Sequence, residues 1–178
     1  VTAVNVSLDD PSAIDRLMTR WLVSDAAPAS LLVDREQERW IARVAYFGST
    51  TGCAAQLRSL ATLIEQSHGG AHIMGSSDTL WTDHAAEATL RRAWRRQSPA
   101  VVKVVVPPAR TGELCSRLLE WSRQQPCSLS IDAMPVHGCV FVGGRRGDEE
   151  AVALDRAVAS LIGQMHGLRV WHARPEGT

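Results

Sequence analysis

The sequence predicts an α+β fold: two tandem ferredoxin-like (β-α-β-β-α-β) units forming an antiparallel sheet with helices on one face. Three observations carry this. Residues 100–175 run through strand, helix, strand, strand, helix and strand, the split β-α-β order. Residues 1–74 run through the same order. In each half the second helix ends in His-Gly before a strand, at His68-Gly69 and His166-Gly167. Residues 1–178 are thus read as one domain of two structural repeats, 1–74 and 100–175, joined by a linker helix at about 85–97.

In the first half, Val4, Val6 and Leu8 alternate with Ala3, Asn5 and Ser7, a strand by its period of two. Asp10 is an N-cap and Pro11 takes the first helical position, where its missing N–H does no harm. Ile14, Leu17, Met18, Trp21 and Leu22 then mark one apolar helix face. Residues 30–34 and 40–47 read as two strands joined by the charged turn Arg35-Glu36-Gln37-Glu38. Ser49, Thr50 or Thr51 caps a helix whose apolar face is Ala54, Leu57, Leu60, Ala61 and Ile64, and residues 71–74 form a short strand.

In the second half the strands are 101–106, 128–133, 138–142 and 168–173, with helices at 111–124 and 148–166. Glycine after each final His is expected to supply the left-handed turn, with the histidine favoured by the helix dipole. Between the halves, Leu90, Ala93 and Trp94 lie on one side of the linker helix and Arg91, Arg92, Arg95 and Arg96 on the other. Residues 175–178 are expected to fray.

The bulk numbers exclude several function classes. The 178 residues carry 19 basic and 19 acidic side chains, so no overall charge draws the chain to nucleic acid or an anionic membrane. Cys53, Cys115, Cys127 and Cys139 are scattered with no C-x-x-C, the pattern of reduced, half-buried thiols. No apolar run approaches the ~20 residues of a membrane span and no signal peptide opens the chain. The cytoplasm is the expected location. Val1 in place of an initiator Met points to a processed protein or a piece of a longer one.

No dinucleotide glycine loop, Walker lysine loop, zinc-binding H-E-x-x-H or nucleophile elbow is present. Gly143-Gly144-Arg145-Arg146-Gly147 is read as a turn with solvated arginines, and Thr82-Asp83-His84 as a cap before the linker helix. The sheet face away from the helices is more informative, because it must meet solvent, a partner or a ligand. By the period of two, Lys103 faces outward, as do Ser128, Ser130 and Asp132. On the third strand His137, Cys139 and Phe141 share one face, and Arg43 shares a face with Ile41, Ala45 and Phe47. Arg43, Lys103, Ser130, Asp132 and His137 are therefore the candidate substrate-binding residues. Their cations suit a small carboxylate, and His137 suits proton movement near neutral pH. The competing reading is the solvated outer face of an ordinary sheet.

Leu80-Trp81, residues 88–99 and then Val101-Val102-Lys103-Val104-Val105-Val106-Pro107-Pro108 resemble the substrate domain of FAD-linked oxidases. These are the vanillyl-alcohol-oxidase-like flavoproteins, and the resemblance is closest to the FAD-binding (E) subunit of glycolate oxidase, with its "LWRLSVPP"-like strand. Residues 1–6 resemble its "VTLRL" strand, 40–49 its "LLVRLEGS" strand, and 131–141 the pair carrying "GGHATLF". Lys103 stands where the family has arginine, Ala45 stands at a second arginine position with Arg43 two residues earlier, and the closing "DP-x-G-x-x-NPGR" is absent.

The resemblance implies a substrate-binding cap over the ring of FAD, the cofactor being bound mainly by a domain outside this chain. The expected partners are that flavin-binding domain, in cis or in another oxidase subunit, and a small 2-hydroxy acid. Alone the chain would be inactive. Two alternatives stand beside this: a tandem RNA-recognition-like module, and a ferredoxin-like regulatory or oligomerisation domain. The first lacks stacking aromatics, with Cys139 in the third-strand position and none on strand 101–106.

Overall fold

A computed structural model of the chain describes residues 1–21, 23–24, 28–36, 39–66, 70–77, 80, 82–86, 90, 95, 101–124, 129–144 and 147–173. The first half supplies β1 (Thr2–Leu8), α1 (Ser12–Trp21), β2 (Ser30–Glu36), β3 (Arg39–Tyr46), α2 (Thr50–Gln66) and β4 (Ala71–Ser77). The second supplies β5 (Val101–Val105), α3 (Thr111–Arg123), β6 (Leu129–Met134), β7 (Cys139–Gly144), α4 (Gly147–Met165) and β8 (Leu168–Ala173). Single 3₁₀ turns precede α3 (Pro108–Arg110) and β7 (Pro135–His137).

All eight strands join one antiparallel sheet in the order β4-β1-β3-β2-β6-β7-β5-β8. The first four follow the ferredoxin-like order and the last four follow it in reverse, so the second strand of each half meets its counterpart at the centre. That central seam is short: Val33 pairs with Ala133 and Asp34 with Asp132.

The even positions of β1, β3, β5 and β7 and the odd positions of β2 and β6 face the helices. Val4, Val6, Val33, Val44, Val104, Ala133, Val140 and Val142 are buried there against Leu17, Trp21, Leu60, Leu114, Leu118 and Leu154. Each fully buried aliphatic side chain of this size contributes about 1.5–3 kcal/mol.

The helix starts follow from local chemistry. Asp10 caps α1: its carboxylate accepts the Ser12 N–H at 2.7 Å and the Ser12 hydroxyl. Ser49 caps α2, accepting the Gly52 N–H at 3.1 Å. Helix α3 has no side-chain cap of its own. Asp15 of α1 supplies one, accepting the Gly112 N–H at 2.6 Å and the Glu113 N–H at 2.7 Å. This close docking needs a glycine, since a Cβ on Gly112 would overlap the Pro11 carbonyl oxygen.

Several expectations are corrected. At the end of α4 the left-handed residue is His166 itself, at φ 52°, and not Gly167. Gly167 is needed for space: a Cβ there would press on Val105 O and the Val106 side chain. His137 and Gly138 are not on β7. Pro135 opens a 3₁₀ turn with its fixed φ, and Gly138 closes it at φ 60° with its N–H donating to Pro135 O at 2.9 Å. Residues 82–86 are already helical, so Thr82-Asp83-His84 is not a cap before that segment. Ser77 takes a cap-like role instead, accepting the Leu80 N–H at 3.2 Å. Most of the linker helix, His68-Gly69, Cys127, Arg145-Arg146 and the chain end expected to fray lie outside the described residues.

Candidate functional site on the outward sheet face

The face away from the four helices is not an open solvated surface. Ala3, Ile41, Ala45, Val101 and Phe141 are all buried although they lie outside the helix-side core. Two described residues from the connection between β4 and β5, His84 and Arg95, reach this face and make polar contacts with it.

Arg95 docks on the second half. One guanidinium nitrogen lies 3.2 Å from an Asp132 carboxylate oxygen, and its carbon sits 4.2 Å from the centre of the Phe141 ring. Asp132, Phe141 and Lys103 are cross-strand neighbours on β6, β7 and β5. The Lys103 ammonium lies 5.9 Å from the same ring centre, on the outer margin of a cation–π contact. Two cations and one carboxylate thus share an aromatic face. Asp132 is only 4 % exposed, and burial of this kind is tolerable for a carboxylate only when a cation meets it.

His84 docks on the first half. Its Nε2 lies 2.8 Å from the Asn5 side-chain oxygen, so the ring nitrogen donates and the amide oxygen accepts. Asn5 on β1 is paired in register with Arg43 on β3. His84 is 4 % exposed. Burial pushes its basicity down, the Arg43 charge pushes it further the same way, and Asp83 opposes both. The imidazole is therefore neutral at neutral pH.

The five residues expected from sequence separate. Arg43 is half-buried beside His84 and Asn5, and Lys103, Ser130 and Asp132 sit together in the second half. Strand spacing and rise put the Cα atoms of Arg43 and Lys103 roughly 20 Å apart, across four strand steps. They cannot grip one small carboxylate together. His137 is exposed in its 3₁₀ turn and belongs to neither group.

His84 and Arg95 were missed by the sequence reading. A signal for the first existed: Asn5 faces outward mid-strand, where a polar side chain needs a partner. Nothing local distinguished Arg95 from Arg91, Arg92 and Arg96 beside it. Arg95 covers the Phe141 ring face, so that face is not open to a stacking base.

No family model matches the chain, and no curated protein sequence matches it. Its fold is similar to a solved structure of alkyldihydroxyacetonephosphate synthase, a member of the FAD-linked oxidase family, with a TM-score of 0.59 at 10 % identity. The match covers 94 % of this chain and 39 % of the synthase chain. The likeness is one of fold, and the chain spans about two-fifths of that protein's length. Among the described residues no helix is long and apolar enough to cross a membrane.

Proposed function

We propose that the chain is the substrate-binding cap domain of an FAD-dependent 2-hydroxy-acid oxidoreductase of the glycolate-oxidising kind. Its outward sheet face roofs a flavin held by a separate FAD-binding domain. The observation that carries this reading is the fold match, which takes in nearly all of this chain and only a minor part of a larger FAD-linked oxidase. The sequence resemblance points to the same superfamily by an independent route.

The residues present suit a cover over the ring and not a cradle for the dinucleotide. Phosphates need a strand, a glycine turn and a helix N-terminus, and the sequence contains no such fingerprint. The outward face instead offers Arg43 beside a neutral imidazole, a cation for a carboxylate and a base for a hydroxyl. When bound, the flavin supplies the two-electron acceptor.

A solution of the purified chain is expected to stay colourless on addition of FAD, and a tight yellow equimolar complex with the chain alone would count against the proposal. In the assembled enzyme, Arg43→Ala is expected to raise KM for a 2-hydroxy acid by about 10–100-fold, the loss of one charged hydrogen-bonding partner. An unchanged KM would remove Arg43 from the site.

A further inference from the structure

We propose that a cavity between the two halves, on the helix-covered side of the sheet, binds a free amino acid with an apolar side chain. The site does not depend on the cap-domain reading, because it lies on the opposite side of the sheet from the outward face.

The cavity measures about 240 Å³. Asp9, Asp10 and Pro11, from the turn between β1 and α1, form one wall, and Ser116, Leu119 and Arg123 of α3 form the other. Trp40 of β3, from the sheet beneath, completes the lining. Small-molecule sites favour such junctions between units and commonly span about 300–1,000 Å³. A volume just under that range admits a molecule of amino-acid size and not a dinucleotide.

The two walls carry opposite charges. Asp10 is already engaged, capping α1 and lying 3.9 Å from Arg16. Asp9 is exposed, and the His72 ring nitrogen stands 3.9 Å from its carboxylate, the outer limit of an ion pair. Across the cavity, the Arg123 guanidinium and the Ser116 hydroxyl make no ion pair or hydrogen bond among the described residues. An inorganic anion would meet repulsion from Asp9 and Asp10, and a metal cation would meet it from Arg123. A zwitterion suits both walls: its ammonium pairs with Asp9, and its carboxylate with Arg123 and Ser116. An apolar side chain then rests on Trp40 and Leu119, both buried.

A ligand held in this way ties the β1–α1 turn of the first half to α3 of the second, next to the close contact of Pro11 with Gly112. It binds only where both walls are assembled, so it stabilises the folded chain as its concentration rises.

The test uses the purified chain with three probes: L-leucine, isoamylamine, which lacks the carboxylate, and 4-methylpentanoate, which lacks the ammonium. L-Leucine at about 100 times its Kd is expected to raise Tm by about 5–10 °C and to shift the Trp40 indole N–H resonance, assigned through Trp40→Phe. Each single-charge probe is expected to bind at least about 10-fold more weakly, having lost one charged hydrogen-bonding partner. Asp9 and Arg123 are exposed, so their variants keep the fold. Arg123→Gln is expected to weaken L-leucine by about 10–100-fold and to leave isoamylamine unchanged. Asp9→Asn is expected to weaken L-leucine similarly and to leave 4-methylpentanoate unchanged. The proposal is overturned if L-leucine moves neither Tm nor the Trp40 resonance, if either variant leaves its affinity unchanged, or if either single-charge probe binds as well. None of these results bears on flavin chemistry at the outward face.

Discussion

Replacing Asp15 by asparagine would leave one oxygen to serve the two amides, Gly112 and Glu113, that a carboxylate now serves. The loss is expected to be about 1–2 kcal/mol, the upper range for an N-cap, read from urea unfolding of Asp15→Asn. Burial pushes the Asp15 carboxyl up to about 6, outweighing the pull of the two amides. Between about pH 4 and pH 6 the folded chain then holds more protons at this site than the unfolded chain. The contribution is complete below about pH 4 and is lost as pH rises through 6. Asp15→Asn should therefore flatten the fall in stability across that window, and an unchanged slope would place the titration elsewhere. A second residue-scale test concerns Arg95. Arg95→Met takes a cation away from the buried Asp132 carboxylate and is expected to destabilise the fold by about 1–3 kcal/mol, whereas Arg95→Met with Asp132→Leu recovers most of it. Equal losses in both variants would show that the pair is not mutually dependent. Asp132 was legible from its strand period as outward-facing. Its burial was not, because the partner comes from a segment whose path no local pattern encodes.

At the scale of elements, the junction between α1 and α3 holds the halves together beside the short seam of β2 and β6. Gly112→Ala would drive a Cβ into the Pro11 carbonyl and push the two helix N-termini apart. We expect a loss of about 3 kcal/mol or more, a severe overpacking effect against backbone, measured by thermal or denaturant unfolding. Gly163→Ala, on the exposed side of α4 with no atom within reach of a Cβ, serves as the control. Helices and strands were largely legible because their periods are long and regular: α1 from Ile14 to Trp21, β5 from its valine run. Two short features were not. The Pro135–His137 turn hides inside an apolar stretch that reads equally well as strand, which carried His137 wrongly onto the sheet face. His166 takes the left-handed turn because Gly167 is committed to close packing against Val105 and Val106, a tertiary constraint with no local trace.

At the scale of the molecule, the mirrored order of the sheet builds one broad face from two small units. Helices cover one side, and the other carries Arg43 with His84 and, roughly 20 Å away, Lys103 with Arg95 and Asp132. The fold class and the outward phase of Arg43, Lys103, Ser130 and Asp132 could be read from the sequence. The division of those residues into two separate clusters required the strand order, which depends on long-range pairing. Among the described residues the first cluster sets a cation beside a neutral imidazole. The most direct test is the bleaching of flavin absorbance by a 2-hydroxy acid under anaerobic conditions, using the FAD-loaded binding domain with and without this chain. The expected result is rapid bleaching only when both are present, abolished by Arg43→Ala at low substrate. Equal bleaching without the chain, or none with it, would contradict the account.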